Sequence, residues 1–278
     1  MEYESVGGFV AMDIELQAPL FRLGFIGGTE YADIPDAPPK RFRNALLMVK
    51  RAVEFFKSGD VTAVAHLGDV LAAENAASGT TQSALESFHH AMGPTGATSW
   101  HFAGGICDVR NFGAGGSGAA LSPARTASRT SYYSFFPAER WRVLVLDCCD
   151  PNADSAEGRS LSTAQMTWLG AQLSIARAEG ERIILLSSRG LVGENALPDA
   201  ELVRERIAAY PGTVVAVLSL GKFRTAFIAL HSPAHSAGSI FDVPFHSPTP
   251  CWFRGACRLS SLLTCSVSRR RWARRLRE

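Results

Sequence analysis

No uninterrupted apolar run in this chain of 278 residues approaches the ~20 residues that cross a bilayer, and no N-terminal segment has the basic, apolar and small-residue order of a secretory leader. The expectation is a soluble cytoplasmic protein with no membrane span. Cysteine is sparse: Cys107, Cys148, Cys149, Cys251, Cys257 and Cys265 form no Cys-x-x-Cys pair, which argues against a zinc ribbon and against a disulfide scaffold. Reduced thiols follow. Cys107 has no obvious histidine partner that would make it a nucleophile. Charge is also scarce, at 19% of residues and a net +2, and it is unevenly placed. The last thirty residues, 249–278, carry eight arginines and one acid, so the remainder is slightly acidic.

What is present is enough apolar residue, 46% of the chain, for one large α/β core. Strand-like runs are predicted at 21–26, 61–67, 141–147, 182–186 and 213–218. Helical patterns are predicted at 43–57, 82–92, 162–178 and 202–210, the third opened by a Ser/Thr cap. Such alternation implies parallel strands in a layered α/β domain, with functional loops at the carboxyl ends of the strands. Two stretches fit no element. Residues 113–131 are rich in Gly, Ala and Ser and read either as a surface loop or as the border of a cleft. Residues 248–278 show no clear periodicity.

The run Val61-Thr-Ala-Val-Ala-His-Leu67 ends in Gly68-Asp69. On the residues alone Asp69 reads more readily as a helix cap or a turn residue than as a catalytic carboxylate. Longer strings decide between them: Phe25-Ile-Gly-Gly-Thr-Glu-Tyr-Ala-Asp-Ile-Pro-Asp36, Arg41-Phe-Arg-Asn44, Gly105-Ile-Cys-Asp-Val-Arg-Asn-Phe112, Tyr132-Tyr-Ser-Phe135 and Gln165-Met-Thr-Trp-Leu169. In order and spacing these resemble the manganese-dependent ADP-ribose/CDP-alcohol diphosphatases, a family of calcineurin-like metallophosphoesterases. The resemblance runs from about residue 20 to about residue 248. It implies a layered metallophosphoesterase-type fold, central β-sheets flanked by helices, over residues 20–248. An extension precedes it at 1–19, and a divergent basic tail follows at 249–278, where the family pattern continues with further strands.

The resemblance also implies a two-metal site, and most of its ligand positions are changed. The opening Asp-x-Gln falls on Gly28 and Glu30; Gly-Asn-His-Asp/Glu reads Gly105-Ile106-Cys107-Asp108; a Ser-His pair reads Ser187-Ser188; and Gly-His-x-His reads Gly221-Lys222-Phe223-Arg224. Asp69 is retained, with acidic neighbours Glu30 and Asp108 as the remaining candidate ligands. Two divalent ions need several carboxylate, imidazole and amide donors to outcompete water and to activate a bridging water. Three carboxylates are too few, and Lys222 and Arg224 bring positive charge where metals would sit. No metal is expected to bind tightly, with manganese or magnesium the cofactor of any residual activity.

Two functions are consistent with this pattern. One is a non-catalytic descendant of the phosphoesterase fold, in which Lys222 and Arg224 pair with Asp69, Glu30 and Asp108 or hold a phosphate or nucleotide. The other is a phosphohydrolase acting on ADP-ribose or CDP-alcohols through one metal on the same three acids. The tail Ser268-Arg-Arg-Arg-Trp-Ala-Arg-Arg-Leu-Arg277 reads as a contact for nucleic acid or an anionic surface, as a short exposed helix, or as the end of a truncated or shifted reading frame, the last two being favoured.

Overall fold

The computed structural model describes residues 21–38, 40–94, 98–113, 120–121, 130–153, 160–193, 196–221, 224–228, 240–241 and 251–254. All but Arg254 belong to one compact unit, Phe21–Phe253. The basic cluster 268–277 and most of the loop 113–131 lie outside the described residues.

The strands form two sheets. The first is built from β1 (Arg22–Ile26), β2 (Ala63–His66), β3 (Ser99–Phe102) and β10 (Cys251–Arg254), in the order β10-β1-β2-β3. The second is built from β4 (Tyr133–Ala138), β5 (Trp141–Val145), β6 (Arg182–Ser187), β7 (Val214–Gly221), β8 (Arg224–Ile228) and β9 (Ile240–Phe241), in sequence order. The parallel pairing expected from the alternation is found in β1–β2–β3 and β5–β6–β7, while β4, β8 and β9 add antiparallel edges.

Side-chain alternation along each strand fixes the layers. Val143, Val145, Ile184 and Leu186 pack with Leu23, Ala63, Ala65 and Leu67 in a core between the sheets. Their alternates Leu144, Leu146, Ile183 and Leu185 pack outward against α5 (Thr163–Glu179) and α6 (Ala200–Ala208). The outer face of the first sheet is covered by α1 (Ala45–Ser58) and α3 (Thr81–Met92), through Val49, Val53, Leu85 and Phe88. Two short helices, α2 (Glu74–Ser78) and α4 (Ile106–Phe112), lie in the loops after β2 and β3. Among the described residues no helix is long and apolar enough to cross a membrane.

On the free side of β3 one hydroxyl caps Phe102. Tyr133 Oη, from β4, accepts from Phe102 N–H at 3.0 Å and donates to Phe102 C=O at 3.3 Å. Both backbone groups of an edge residue are thereby satisfied without another strand. Tyr133→Phe is expected to cost about 1–2 kcal/mol in urea denaturation. A loss indistinguishable from zero would mean that water replaces the hydroxyl without penalty.

Candidate active site at the carboxyl ends of the parallel strands

Beyond their last residues, β1 and β2 continue side by side as loops. Glu30 N–H donates to Asp69 C=O at 2.9 Å, Tyr31 N–H to Val70 C=O at 3.1 Å, and Ala72 N–H to Tyr31 C=O at 2.9 Å. The Tyr31-Ala-Asp-Ile-Pro-Asp36 string thus has a structural task. Buried Tyr31 anchors it, and Asp36 accepts the N–H groups of Arg43 and Asn44 at the start of α1. The consequence for the site is that Glu30 stands beside Asp69. Both adopt left-handed backbone, at φ 43° and 52°, which costs a non-glycine residue about 1–2 kcal/mol and persists only where neighbours enforce it.

Two glycines make the junction tight. Gly68 has φ 98°, and a Cβ there would stand 2.9 Å from Ser188 Cβ and 3.0 Å from Gly105 N. A Cβ on Gly105 would collide with the Asp69 carboxylate. The ends of β2, β3 and β6 therefore meet at backbone distance.

Asp69 is partly buried, and Oδ1 accepts from Cys107 N–H at 2.8 Å. Burial lifts its pKa above the ordinary carboxylate value; the Cys107 bond opposes this and the charge of Glu30 adds to it. Cys107 stands in the place the resemblance gives to a histidine. Burial, then the charges of Asp69, Glu30 and Asp108, push its thiol up to about 12. A thiol held protonated is a weak nucleophile and a poor metal ligand. Cys149, after β5, is pushed up by burial as well, with Asp69 among the contributing charges.

Asp108 has a different position from the one expected of a ligand. It is fully buried, Oδ1 accepting from Val70 N–H at 2.8 Å and Leu71 N–H at 3.4 Å, and Oδ2 from Gly105 N–H at 3.0 Å. That is half of a capping box on α4, and glycine at the cap has no side chain to return the other half. Burial pushes its pKa up to about 7, against the pull of these N–H groups.

Ser187 and Ser188 are committed to backbone. Ser187 Oγ donates to Arg189 C=O at 2.6 Å, and Ser188 Oγ to Gly104 C=O at 2.6 Å. Lys222 lies outside the described residues; Arg224 opens β8 opposite Gly221, its side chain not described. The cation that does stand beside Glu30 is Lys40, with Nζ 2.7 Å from Glu30 Oε2 and 3.6 Å from Glu74 Oε1. Sequence reasoning missed it. The one available signal was the Pro-Pro pair that precedes it in the sequence; Lys40 and Ala37 exchange backbone hydrogen bonds at 2.8 and 3.1 Å.

The donor set does not fit a pair of divalent ions. Asp69 has one oxygen tied to an amide, Glu30 is paired with an ammonium, Asp108 is saturated by N–H groups, and Cys107 is a thiol. Among the described residues no three His, Cys, Asp or Glu side chains are arranged to hold a metal ion.

No protein-family model matches the chain. Over 144 residues it is 30% identical to the manganese-dependent ADP-ribose/CDP-alcohol diphosphatase of Oryza sativa subsp. japonica, a match covering 49% of this chain and 43% of that protein. The enzyme of the same description from Arabidopsis thaliana is 30% identical over 145 residues, covering 49% and 44%. The matches thus span less than half the length of these relatives. A dimetal phosphatase from Danio rerio superposes with a TM-score of 0.63 over 77% of this chain and 96% of that one, at 17% identity, a likeness of fold. Paired sheets whose strand ends gather Gly68-Asp69 beside Glu30, together with these likenesses in sequence and fold, make the chain a relative of the calcineurin-like metallophosphoesterases.

Proposed function

We propose that this is a phosphoesterase-fold protein whose dinuclear metal site has decayed, leaving a catalytically impaired chain whose cleft takes a phosphate or nucleotide weakly. The observation that carries the reading is the state of the two acids beside Asp69: Glu30 is neutralised by Lys40, and Asp108 is consumed by three backbone N–H groups. Neither is poised to join Asp69 around an ion. A metal pair supplies a phosphoryl group with countercharge and with a nucleophilic water, and the acids retained in this cleft do not make a seat for one.

The competing reading is a manganese-dependent diphosphatase acting on ADP-ribose or CDP-alcohols, favoured by the 30% identity to plant proteins of that description. One experiment separates the two. Purified chain is expected to carry no stoichiometric manganese, iron or zinc, and to hydrolyse ADP-ribose and CDP-choline with added manganese at the rate of the no-protein control. Losing one well-placed group commonly costs ~10² in rate, and several positions differ here. Two tightly held metals per chain, with turnover that vanishes in Asp69→Ala, would establish the diphosphatase instead.

A further inference from the structure

We infer that Lys40 is the resident cation at the end of the β1 and β2 loops: its ammonium stands on Glu30 and Glu74 beside Asp69, neutralises them, and keeps divalent ions out. The inference rests on the decayed-site reading and adds the residue that maintains it.

Four observations converge on Lys40. Its Nζ is 2.7 Å from Glu30 Oε2 and 3.6 Å from Glu74 Oε1, so one ammonium serves carboxylates from two different loops. The same Nζ lies 5.2 Å from the centroid of the buried Phe42 ring, a face that attracts a cation and holds it in place. Its backbone is pinned by both hydrogen bonds to Ala37. The neighbouring cation Arg43 is occupied elsewhere, its Nε 2.7 Å from Asp33 Oδ1. Lys40 is thus a positioned charge even though its side chain is about a third exposed to solvent.

The ammonium's field extends past its direct partners. It opposes, more weakly than the Cys107 N–H does, the burial that raises the Asp69 carboxyl, while the contact with Glu30 holds the lysine above its ordinary pKa. Glu30 Oε2 and Glu74 Oε2 are both buried without a well-directed hydrogen bond among the described residues, so the 2.7 Å approach of Lys40 to Glu30 is an ion pair by distance, and the acids carry acceptor capacity that one ammonium does not use up. A hard divalent ion prefers such oxygens. With a fixed positive charge among them it meets repulsion and finds its first carboxylate already paired.

Removing that charge while keeping its bulk should convert the site. Manganese added to full-length protein is followed through the six-line paramagnetic resonance signal of the free aqua ion. Wild type is expected to leave the signal unchanged up to about millimolar manganese. Lys40→Met frees only Glu30 and Glu74, so it should bind manganese weakly but at least tenfold more tightly than wild type, and lose that gain again in Lys40→Met/Glu30→Gln. Lys40→Arg keeps the charge and should behave as wild type. The inference is overturned if Lys40→Met binds no better than wild type, if its uptake survives Glu30→Gln, or if Lys40→Arg binds equally well. Uptake of two ions by wild type itself would instead sink the decayed-site reading.

Discussion

Asp108→Ala is expected to lose about 3–6 kcal/mol of stability in urea denaturation, the largest single-residue effect in the neighbourhood of the site. The side chain is fully buried and receives three backbone N–H groups from two segments, Gly105 at the start of α4 and Val70 and Leu71 after β2. Alanine leaves all three without an acceptor where water does not reach, and each orphaned buried donor costs about 1–3 kcal/mol. A domain of this kind has a net stability of about 5–15 kcal/mol, so much of it would go. Asp69→Ala makes the internal comparison, because Asp69 accepts one such bond and is less buried. Its cost should stay near about 1 kcal/mol. If the two variants melt together, Asp108 is not the staple between the β2 loop and α4. Asp108→Asn should fall between them, since the amide keeps one acceptor and turns an NH₂ toward an N–H.

That ranking reverses what the sequence suggests, and the reversal shows which parts of the molecule are legible in advance. Strands β2, β5, β6 and β7 are largely buried and mostly apolar, and the shorter β1, Arg22-Leu-Gly-Phe-Ile26, is half-buried but apolar after its first residue, so the apolar runs place all five. Strand β3, Ser-Trp-His-Phe, is four residues and half polar; it forms because β2 offers a parallel edge and Tyr133 caps Phe102 on the other side. Strand β4 contains Pro137, which cannot donate to a ladder, and its register with β5 shifts between Phe135 and Ala138 as an edge strand permits. Helix α4 has seven residues and little periodicity, and a buried carboxylate three residues past its cap defines its start.

The site divides in the same way. The closeness of Glu30 and Asp69 was legible only through the resemblance, because it depends on two loops pairing after their strands end. The resemblance also pointed to Lys222 and Arg224 as the positive charges. The charge seen at Glu30 comes from Lys40, only ten residues along the chain, whose backbone exchanges hydrogen bonds with Ala37 and for which the Pro-Pro pair before it is the one sequence cue. Whether a carboxylate faces a cavity or a row of N–H groups is likewise a three-dimensional fact. Asp108 and Asp69 read alike as letters and differ entirely in what surrounds them.

Replacing His66 by asparagine should change the pH dependence of stability by roughly 4 kcal/mol between neutral pH and pH 3. His66 ends β2 in full burial, between the rings of Phe88 and Phe102 at 6.0 and 5.9 Å. Its hydrogen bonds assign the tautomer: Nδ1 accepts from Gly68 N–H at 3.2 Å. Thr29 Oγ1 spends its proton on Val70 C=O at 2.7 Å, so it receives Nε2–H at 3.4 Å. A second proton would set Nδ1–H against Gly68 N–H in an apolar surround, and burial lowers the pKa to about 3. The unfolded chain, with histidine near 6.5, therefore binds the proton over a window from about 6.5 to 3 in which the native state does not. Native stability falls as pH falls through that window, by about 1.4 kcal/mol per unit. Asp108 works the other way. With a native pKa of about 7 against 3.8 unfolded, it gives the native state the extra proton, so its contribution falls as pH rises through 3.8 to 7. Asp69 and Asp147, both raised by burial, act in the same direction as Asp108. The wild-type profile between about pH 4 and 6.5 should consequently be flatter than either contribution alone. Asparagine at position 66 offers an amide oxygen to Gly68 N–H and cannot titrate, which removes one arm of the opposition. The difference in unfolding free energy between His66→Asn and wild type should be constant above about pH 7.5 and then move steadily in favour of the variant as pH falls. Urea titrations at half-unit intervals would show this, and parallel curves down to about pH 3.5 would mean that His66 takes up its proton in the folded protein.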